Sequence, residues 1–316
     1  MISVKNLNDI LNQESAVNLL KLAIKKNRIS HAYLFTGPKG VGKETTAQAF
    51  LYHLYCKENP ENPCGSCIGC KKIDKNIHPD ILKILPEKKE ITIKQIREVN
   101  SYIRYGPIEG RYKVIIIKDA EKMNAEASNA LLKSLEEPPS YVIFILLCEN
   151  FSQLLPTIVS RSQIVRFRNL PNSVIAKVLK KYYFFEESVA ETLAEISQGS
   201  LGRAIEIAEK GYLEELNSFV KAGISQSPEK KFRTVERLGN YSFADLEGFF
   251  YILSIWIWRS YLKNKLNYPY PKAFPEEVYT KEPFTALKLI YETRFAVEKY
   301  ANSELALYRL MLKLFE

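Results

Sequence analysis

Ala32-Tyr33-Leu34-Phe35-Thr36-Gly37-Pro38-Lys39-Gly40-Val41-Gly42-Lys43 is the stretch on which the fold turns. Its first five residues form a short apolar run that stops at a glycine, and a helical period sets in at Lys43. A strand, a glycine-rich turn and a helix in this order suit phosphate binding. Gly37, Gly40 and Gly42, with Pro38 and Val41 between them, let backbone amides curl round phosphate oxygens. The helix N-terminus adds positive potential, and Lys43 can reach the β and γ oxygens. A glycine-rich turn that binds nothing is the plainer alternative. With strand, loop, lysine and helix in register, the stretch reads as a loop for ATP or ADP.

Outward from this loop the chain alternates strand and helix. Glu14 to Arg28 reads as an amphipathic helix, with Val17, Leu20 and Ile24 on one face. After a cysteine-rich loop, strands are expected over Asp80 to Leu85, Tyr112 to Ile117, Tyr141 to Leu147 and Gln163 to Phe167. Helices are expected over Thr92 to Tyr105 and Asn124 to Glu137, the second stopped by Pro138-Pro139. Such alternation predicts an α/β fold, a largely parallel sheet covered on both faces. From Asn169-Leu170-Pro171-Asn172 onward only helical periodicity remains, apart from the proline-studded stretch Tyr268 to Pro275. Three domains are expected: α/β over 1–168 with a cysteine insertion, small helical over 169–210, and all-α over 211–316. Within the last, Phe249 to Leu253 and Ile255 to Trp258 are apolar nearly all round a helix, which predicts burial on more than one side. Leu305, Tyr308, Leu312 and Phe315, at helical spacing, could extend the same surface.

The phosphate loop departs from its pattern at one position. A hydroxyl that binds magnesium should follow Lys43, and Glu44 stands there instead. Thr45 is a candidate nucleotide contact, but it cannot simply replace that hydroxyl, because one helical step turns about 100°. The acidic half of a hydrolytic site should follow a buried strand, and Val114-Ile115-Ile116-Ile117 runs into Lys118-Asp119-Ala120-Glu121. An aspartate for magnesium is expected first and a glutamate for the attacking water second. Lys118 holds the first place and Asp119 the second. Both magnesium positions are lost together, to residues of opposite charge. An ion pair between Glu44 and Lys118 is therefore expected where the metal would sit.

Cys56, Cys64, Cys67 and Cys70 follow the spacing C-x7-C-x2-C-x2-C. Four thiolates from one short loop suit a closed, structural zinc site. An iron–sulfur cluster and disulfides are the competing readings. His78, before Pro79, reads as a loop residue, and Cys148, at the end of an apolar strand, as a small buried hydrophobe. Five cysteines, four of them crowded together, point to a reducing cytoplasm.

Composition narrows the classes further. At 46% hydrophobic and 26% charged, the 316 residues are neither disordered nor fibrous. The first residues lack the basic and apolar pattern of a secretory signal, and no apolar run reaches the roughly 20 residues a membrane span needs. Lysine and arginine number 45 against 36 acids, a formal charge of +9 that allows a polyanionic partner. The basic residues are spread along the chain and no base-reading element stands out, so a nucleic-acid module is the weaker reading.

At Asn129-Ala130-Leu131-Leu132-Lys133-Ser134-Leu135-Glu136-Glu137-Pro138-Pro139 the chain resembles a known family. With the phosphate loop, the four cysteines and Ser160-Arg161-Ser162, it is similar to bacterial DNA polymerase III clamp-loader subunits of the AAA+ class. The likeness covers residues 1 to about 210 well. Loss of both magnesium ligands sets it nearer the delta-prime type than the gamma/tau motors. The resemblance implies an AAA+ domain, a helical lid and a C-terminal collar in a five-subunit ring. That ring, with gamma/tau and delta subunits, would load a sliding clamp on primer–template DNA. The family's Ser-Arg-Cys motif gives an arginine to the neighbouring subunit's nucleotide, which falls on Arg161, with Ser162 in place of the cysteine. Such an arginine can be worth about 10³ to 10⁵ in rate. Gly199-Ser200-Leu201-Gly202-Arg203-Ala204 resembles the sensor-2 segment, which would turn Arg203 to the chain's own nucleotide. A helix cap with a surface arginine is the alternative. At the sensor-1 position, where the family has a polar residue after its fourth strand, stand Cys148-Glu149-Asn150, a departure that argues against a tuned hydrolytic site. An ATP-hydrolysing gamma/tau-type motor is the runner-up.

Overall fold

Strand alternation in the first part of the chain sorts side chains onto two apolar faces, and a computed structural model, which describes residues 4–315, shows how each is covered. The strands are β1 (Ala32–Thr36), β2 (Ile81–Ile84), β3 (Lys113–Ile117), β4 (Val142–Cys148) and β5 (Gln163–Arg166). They form one sheet in the order β2-β3-β4-β1-β5, with every pairing parallel. Every residue of β1, β3 and β4 is buried. On one face Tyr33, Phe35, Val114, Ile116, Ile143 and Ile145 pack under α1 (Glu14–Lys25) and α2 (Lys43–Tyr55) through Leu20 and Phe50. On the other, Leu34, Ile115, Ile117, Phe144 and Leu146 meet α4 (Ile93–Tyr102) and α5 (Ala125–Glu136) through Ile96, Val99, Leu131 and Leu135. Each such buried aliphatic contributes about 1.5–3 kcal/mol, so the sheet is the main stabilising body of this part.

Two short helices were not legible in the sequence. One is α3 (Ile68–Asp74), inside what reads as a cysteine loop, and the other is α6 (Pro156–Ser160), started by a proline at its first position. The helix expected to run to Arg28 stops at Lys25, because Asn27 takes a left-handed φ of 51°. His78 lies in a loop as expected, yet it is buried and packs on the Tyr55 ring at 4.2 Å.

The chain divides into two compact units, Met1–Leu170 and Pro171–Glu316. The division expected near residue 210 falls inside the second unit. That unit is all helical: α7 (Asn172–Tyr183), α8 (Glu187–Ile196), α9 (Leu201–Glu209), α10 (Tyr212–Ile224), α11 (Pro228–Gly239), α12 (Phe243–Leu266), α13 (Pro283–Glu298) and α14 (Ser303–Phe315). Ser227 and Ser242 cap α11 and α12 by accepting from Lys230 N and Asp245 N, one of the orphan amides a helix start must satisfy. The 24-residue α12 buries Phe249, Phe250, Leu253 and Trp256 on one broad face, whereas Trp258, from the run whose composition predicts burial on more than one side, is exposed. Phe315 turns inward onto Phe219 and Trp256, while Leu305 is exposed, so these two do not share one outer surface. Among the described residues no helix is long and apolar enough to cross a membrane.

Asp80, just before β2, fixes the approach to β3. It is fully buried, and its carboxylate accepts from the amides of Ile108, Glu109 and Gly110 at 2.6, 2.8 and 2.8 Å. Burial alone would raise its pKa, but the three amides outweigh it and hold the carboxyl below its ordinary value. Asp80→Ala is expected to cost about 3 kcal/mol in denaturant melts, since it strands three buried donors. In the parent, a depressed folded-state pKa gives a contribution that is complete above about pH 4, the unfolded value, and is lost as the pH falls through the folded one. The variant should therefore lose less stability than the parent over that acid range.

Candidate nucleotide-binding and metal sites

The phosphate loop hangs between the end of β1 and the start of α2, on glycines that backbone geometry demands. Gly37, Gly40 and Gly42 have φ of 149°, 75° and 104°, which side-chain-bearing residues rarely adopt. A Cβ on Gly37 would also stand 2.4 Å from the carbonyl oxygen of Phe167. Val41 is buried, and Gln13 Nε2 donates to its carbonyl at 3.3 Å, which ties the loop to the residue preceding α1. Lys43 Nζ folds back on the loop and donates to the carbonyls of Gly37 and Pro38. A phosphate would exchange for these carbonyls. Thr45 is half-buried in the first turn of α2, and its neighbour Thr46 donates its hydroxyl to the Gly42 carbonyl at 2.8 Å.

Glu44 and Lys118 meet. Their Oε2 and Nζ atoms are 2.6 Å apart, the pair expected from the double departure in the sequence. It joins the first turn of α2 to the residue after β3, where a magnesium-binding hydroxyl and aspartate would otherwise face each other. The side chains are 52% and 30% exposed, so the bond contributes at most about 1 kcal/mol.

Three carboxylates act electrostatically on Lys43. Burial lowers its pKa, and the charges of Glu149, Glu121 and Asp119 act against that shift. Glu121 Oε1 accepts from Glu149 N at 2.9 Å, and its other oxygen is buried with no partner among the described residues. Asp119 takes a left-handed φ of 50° and pairs with Lys122 at 2.9 Å. Sequence reasoning weighed Asp119 but gave Glu121 no role. The signal was its place in the turn that follows β3.

The four cysteines form one cage. Cys56 closes α2, Cys67 caps α3, Cys70 lies in the first turn of α3, and Cys64 comes from the loop between. Their Sγ atoms all lie within 4.8 Å of one another. Cys56–Cys64 and Cys67–Cys70 are 3.7 and 3.5 Å apart, too long for disulfides at about 2.05 Å. A tetrahedral zinc with Zn–S near 2.3 Å would place sulfurs about 3.8 Å apart, so the donor set fits. The amides of Asn59 and Cys64 point at Cys56 Sγ, and those of Ser66 and Cys67 at Cys64 Sγ. The amides of Ser66 and Cys67 bring the Cys64 thiol down to about 6, whereas burial raises Cys70. A cation is what lets all four ionise together. Cys148 is buried on β4 outside this cage, and burial pushes its thiol up to about 11.

Arg161 lies elsewhere, at the end of α6 and before the edge strand β5. Its Nη2 pairs with Glu136 Oε1 at 2.8 Å and its Nη1 donates to the Thr157 carbonyl at 3.2 Å. Arg203, in α9 of the second unit, stands over the Tyr251 ring at 4.7 Å, and its amide donates to Ser200 Oγ.

Residues 12–171, half of the chain, match the family model described as DNA polymerase III, delta subunit. The chain belongs to that family. It is 38% identical over 174 residues to the DNA polymerase III subunit delta' of Bacillus subtilis, covering 55% of this chain and 52% of that protein. It is 32% identical over 212 residues to the tau/gamma subunit of Haemophilus influenzae, covering 65% and 31%. The chain thus spans about half, or less, of the length of these relatives. A gamma subunit-related protein of Thermotoga maritima shares the fold, with a TM-score of 0.51 at 20% identity over 95% of this chain and 99% of that one.

A double-mutant cycle tests the pair. Glu44→Thr and Lys118→Asp should each destabilise more than the combination does, with a coupling of about 0.5–1 kcal/mol that salt weakens. Simple additivity in urea melts would remove the pair from consideration.

Proposed function

We propose that the chain is a delta-prime-type subunit of a DNA polymerase III clamp loader, a rigid member of an AAA+ ring that hydrolyses little ATP itself. The observation that carries this reading is the Glu44–Lys118 bond, which occupies both magnesium positions with a charge pair. Family membership and the likeness to a delta' subunit support it. In this reading residues 1–168 are the AAA+ domain, 169–210 the lid and 211–316 the collar. Gly37, Pro38, Gly40, Val41, Gly42, Lys43 and Thr45, with Arg203, hold ATP or ADP as a structural ligand. Arg161 acts in trans on the nucleotide of a gamma/tau neighbour. Delta and gamma/tau subunits are direct partners, and the sliding clamp and primer–template DNA are met through the cytoplasmic assembly.

The Cys56-Cys64-Cys67-Cys70 cage holds zinc, which staples the end of α2 to the start of α3. Elemental analysis of the purified chain should give one zinc ion per chain, as a closed four-thiolate site requires. Cys64→Ser should release it and lower Tm by about 5–10 °C, the shift for a loss of roughly 2–3 kcal/mol. Cys148→Ser should leave the metal content alone. Full stability of the parent after complete chelation would rule out a structural metal.

A gamma/tau-type motor is the second reading, favoured by Lys43 and by the match to a tau/gamma subunit. ATP turnover separates the two. The delta-prime reading expects no turnover by the chain alone, and turnover in a mixture with gamma/tau, delta, clamp and primed DNA that falls by about 10³-fold or more with Arg161→Ala. Magnesium-dependent turnover by the chain alone, abolished by Lys43→Ala, would make it a motor.

A further inference from the structure

We propose that Glu136 is a positioning residue for Arg161, holding its Nη2 so that the N–H groups not bonded to the chain are left for a phosphate. The inference rests on the reading of Arg161 as an arginine that acts in trans, and it gives that arginine its internal support.

Glu136 is the last residue of α5, a helix fixed to the sheet by Leu131 and Leu135, both buried. Its position is electrostatically wrong for a helix. The C-terminal end of a helix carries partial negative charge and favours cations, yet Glu136 and Glu137 both stand there. Pro138 follows and fixes where the helix stops. Glu136 therefore does nothing for α5 itself, and its carboxylate instead bonds Arg161 Nη2 at 2.8 Å.

Arg161 is held a second time, through Nη1 to the Thr157 carbonyl of its own helix at 3.2 Å. Two anchors on different helices restrict a side chain that otherwise has four rotatable bonds. A guanidinium has five N–H donors in a rigid fork, so two bonds to the chain leave the remainder of the fork for phosphate oxygens. The arginine side chain is still 36% exposed, and the residue stands just before β5, the strand that ends the sheet. An arginine beside a sheet edge, with Nη1 and Nη2 each held by one bond, can meet a phosphate outside the chain through its remaining N–H groups with less loss of rotamer freedom.

The test uses the full chain assembled with gamma/tau and delta subunits, clamp and primed DNA, with ATP as substrate. Glu136→Ala should lower kcat about tenfold, within the roughly 100-fold that misplacing a catalytic group by an ångström can cost, and leave KM within about twofold. Glu136→Gln, which keeps an acceptor, should recover most of the rate. In an Arg161→Ala background, Glu136→Ala should change nothing more. Glu136 is half exposed, so the variant should keep the parent's Tm. An unchanged or faster kcat in Glu136→Ala, or an equal loss with and without Arg161, overturns the positioning role. If Arg161→Ala itself leaves turnover intact, the trans-acting reading fails and takes Glu136 with it. That pattern differs from one in which Arg161 matters and Glu136 does not.

Discussion

Parallel strand pairing constrains everything else in the first unit. When β3, β4 and β1 lie side by side and run the same way, their C-terminal ends emerge at one rim of the sheet. The residues that follow them are Lys118, Glu149 and Gly37. Segments separated by more than a hundred residues in sequence thus share one small region, without any loop having to travel. The same pairing buries both sheet faces, which is why β1, β3 and β4, apart from Thr36 and Lys113 at strand ends, are apolar at consecutive and not alternate positions. Asp80 completes the constraint from the other end of the sheet, since its three amide bonds set where the chain turns into β3 and hence where Lys118 arrives.

The Glu44–Lys118 pair is informative because it is energetically modest. An exposed ion pair worth a kilocalorie or less does little for folding. Its consequence is chemical. A carboxylate and an ammonium bonded to each other satisfy the rim without a cation, whereas a hydroxyl and a carboxylate in the same places would need one. Near Lys43 the balance of charge is also unusual, with Glu121, Glu149 and Asp119 all acting on one ammonium.

The sheet and its motifs were legible because their signals are local. The run Ala32 to Thr36 is observed as β1 to the residue, and the strand expected from Tyr112 begins at Lys113. The Glu44–Lys118 bond was also within reach, since two pattern positions lost with opposite charges implied a contact across the fold. Helix ends were less clear: Asn27 tolerates the left-handed conformation that stops α1 early, and nothing in Lys26-Asn27-Arg28 announces it. Helix α3 was hidden because seven residues are too few for amphipathic periodicity, and the cysteine spacing dominates the stretch. Glu136 was quoted in the sequence only as part of a motif. Its bond to Arg161 crosses from α5 to α6, past all of β4, and no local pattern encodes such a meeting.

These contacts separate two capacities within one unit. Lys43 belongs to a loop that closes on its own carbonyls, while Arg161 is tied to α5 and α6 beside the edge strand. The two sets of contacts share no residue. Replacing the magnesium positions by an ion pair therefore leaves the supports of Arg161 untouched. On the proposed reading, that independence is what allows a subunit to lose its own hydrolytic chemistry and still serve a neighbour's. The four-cysteine cage extends the same logic, because it ties α2 to α3 at the far end of α2 from Lys43 and so braces the helix that carries the phosphate loop without entering the site.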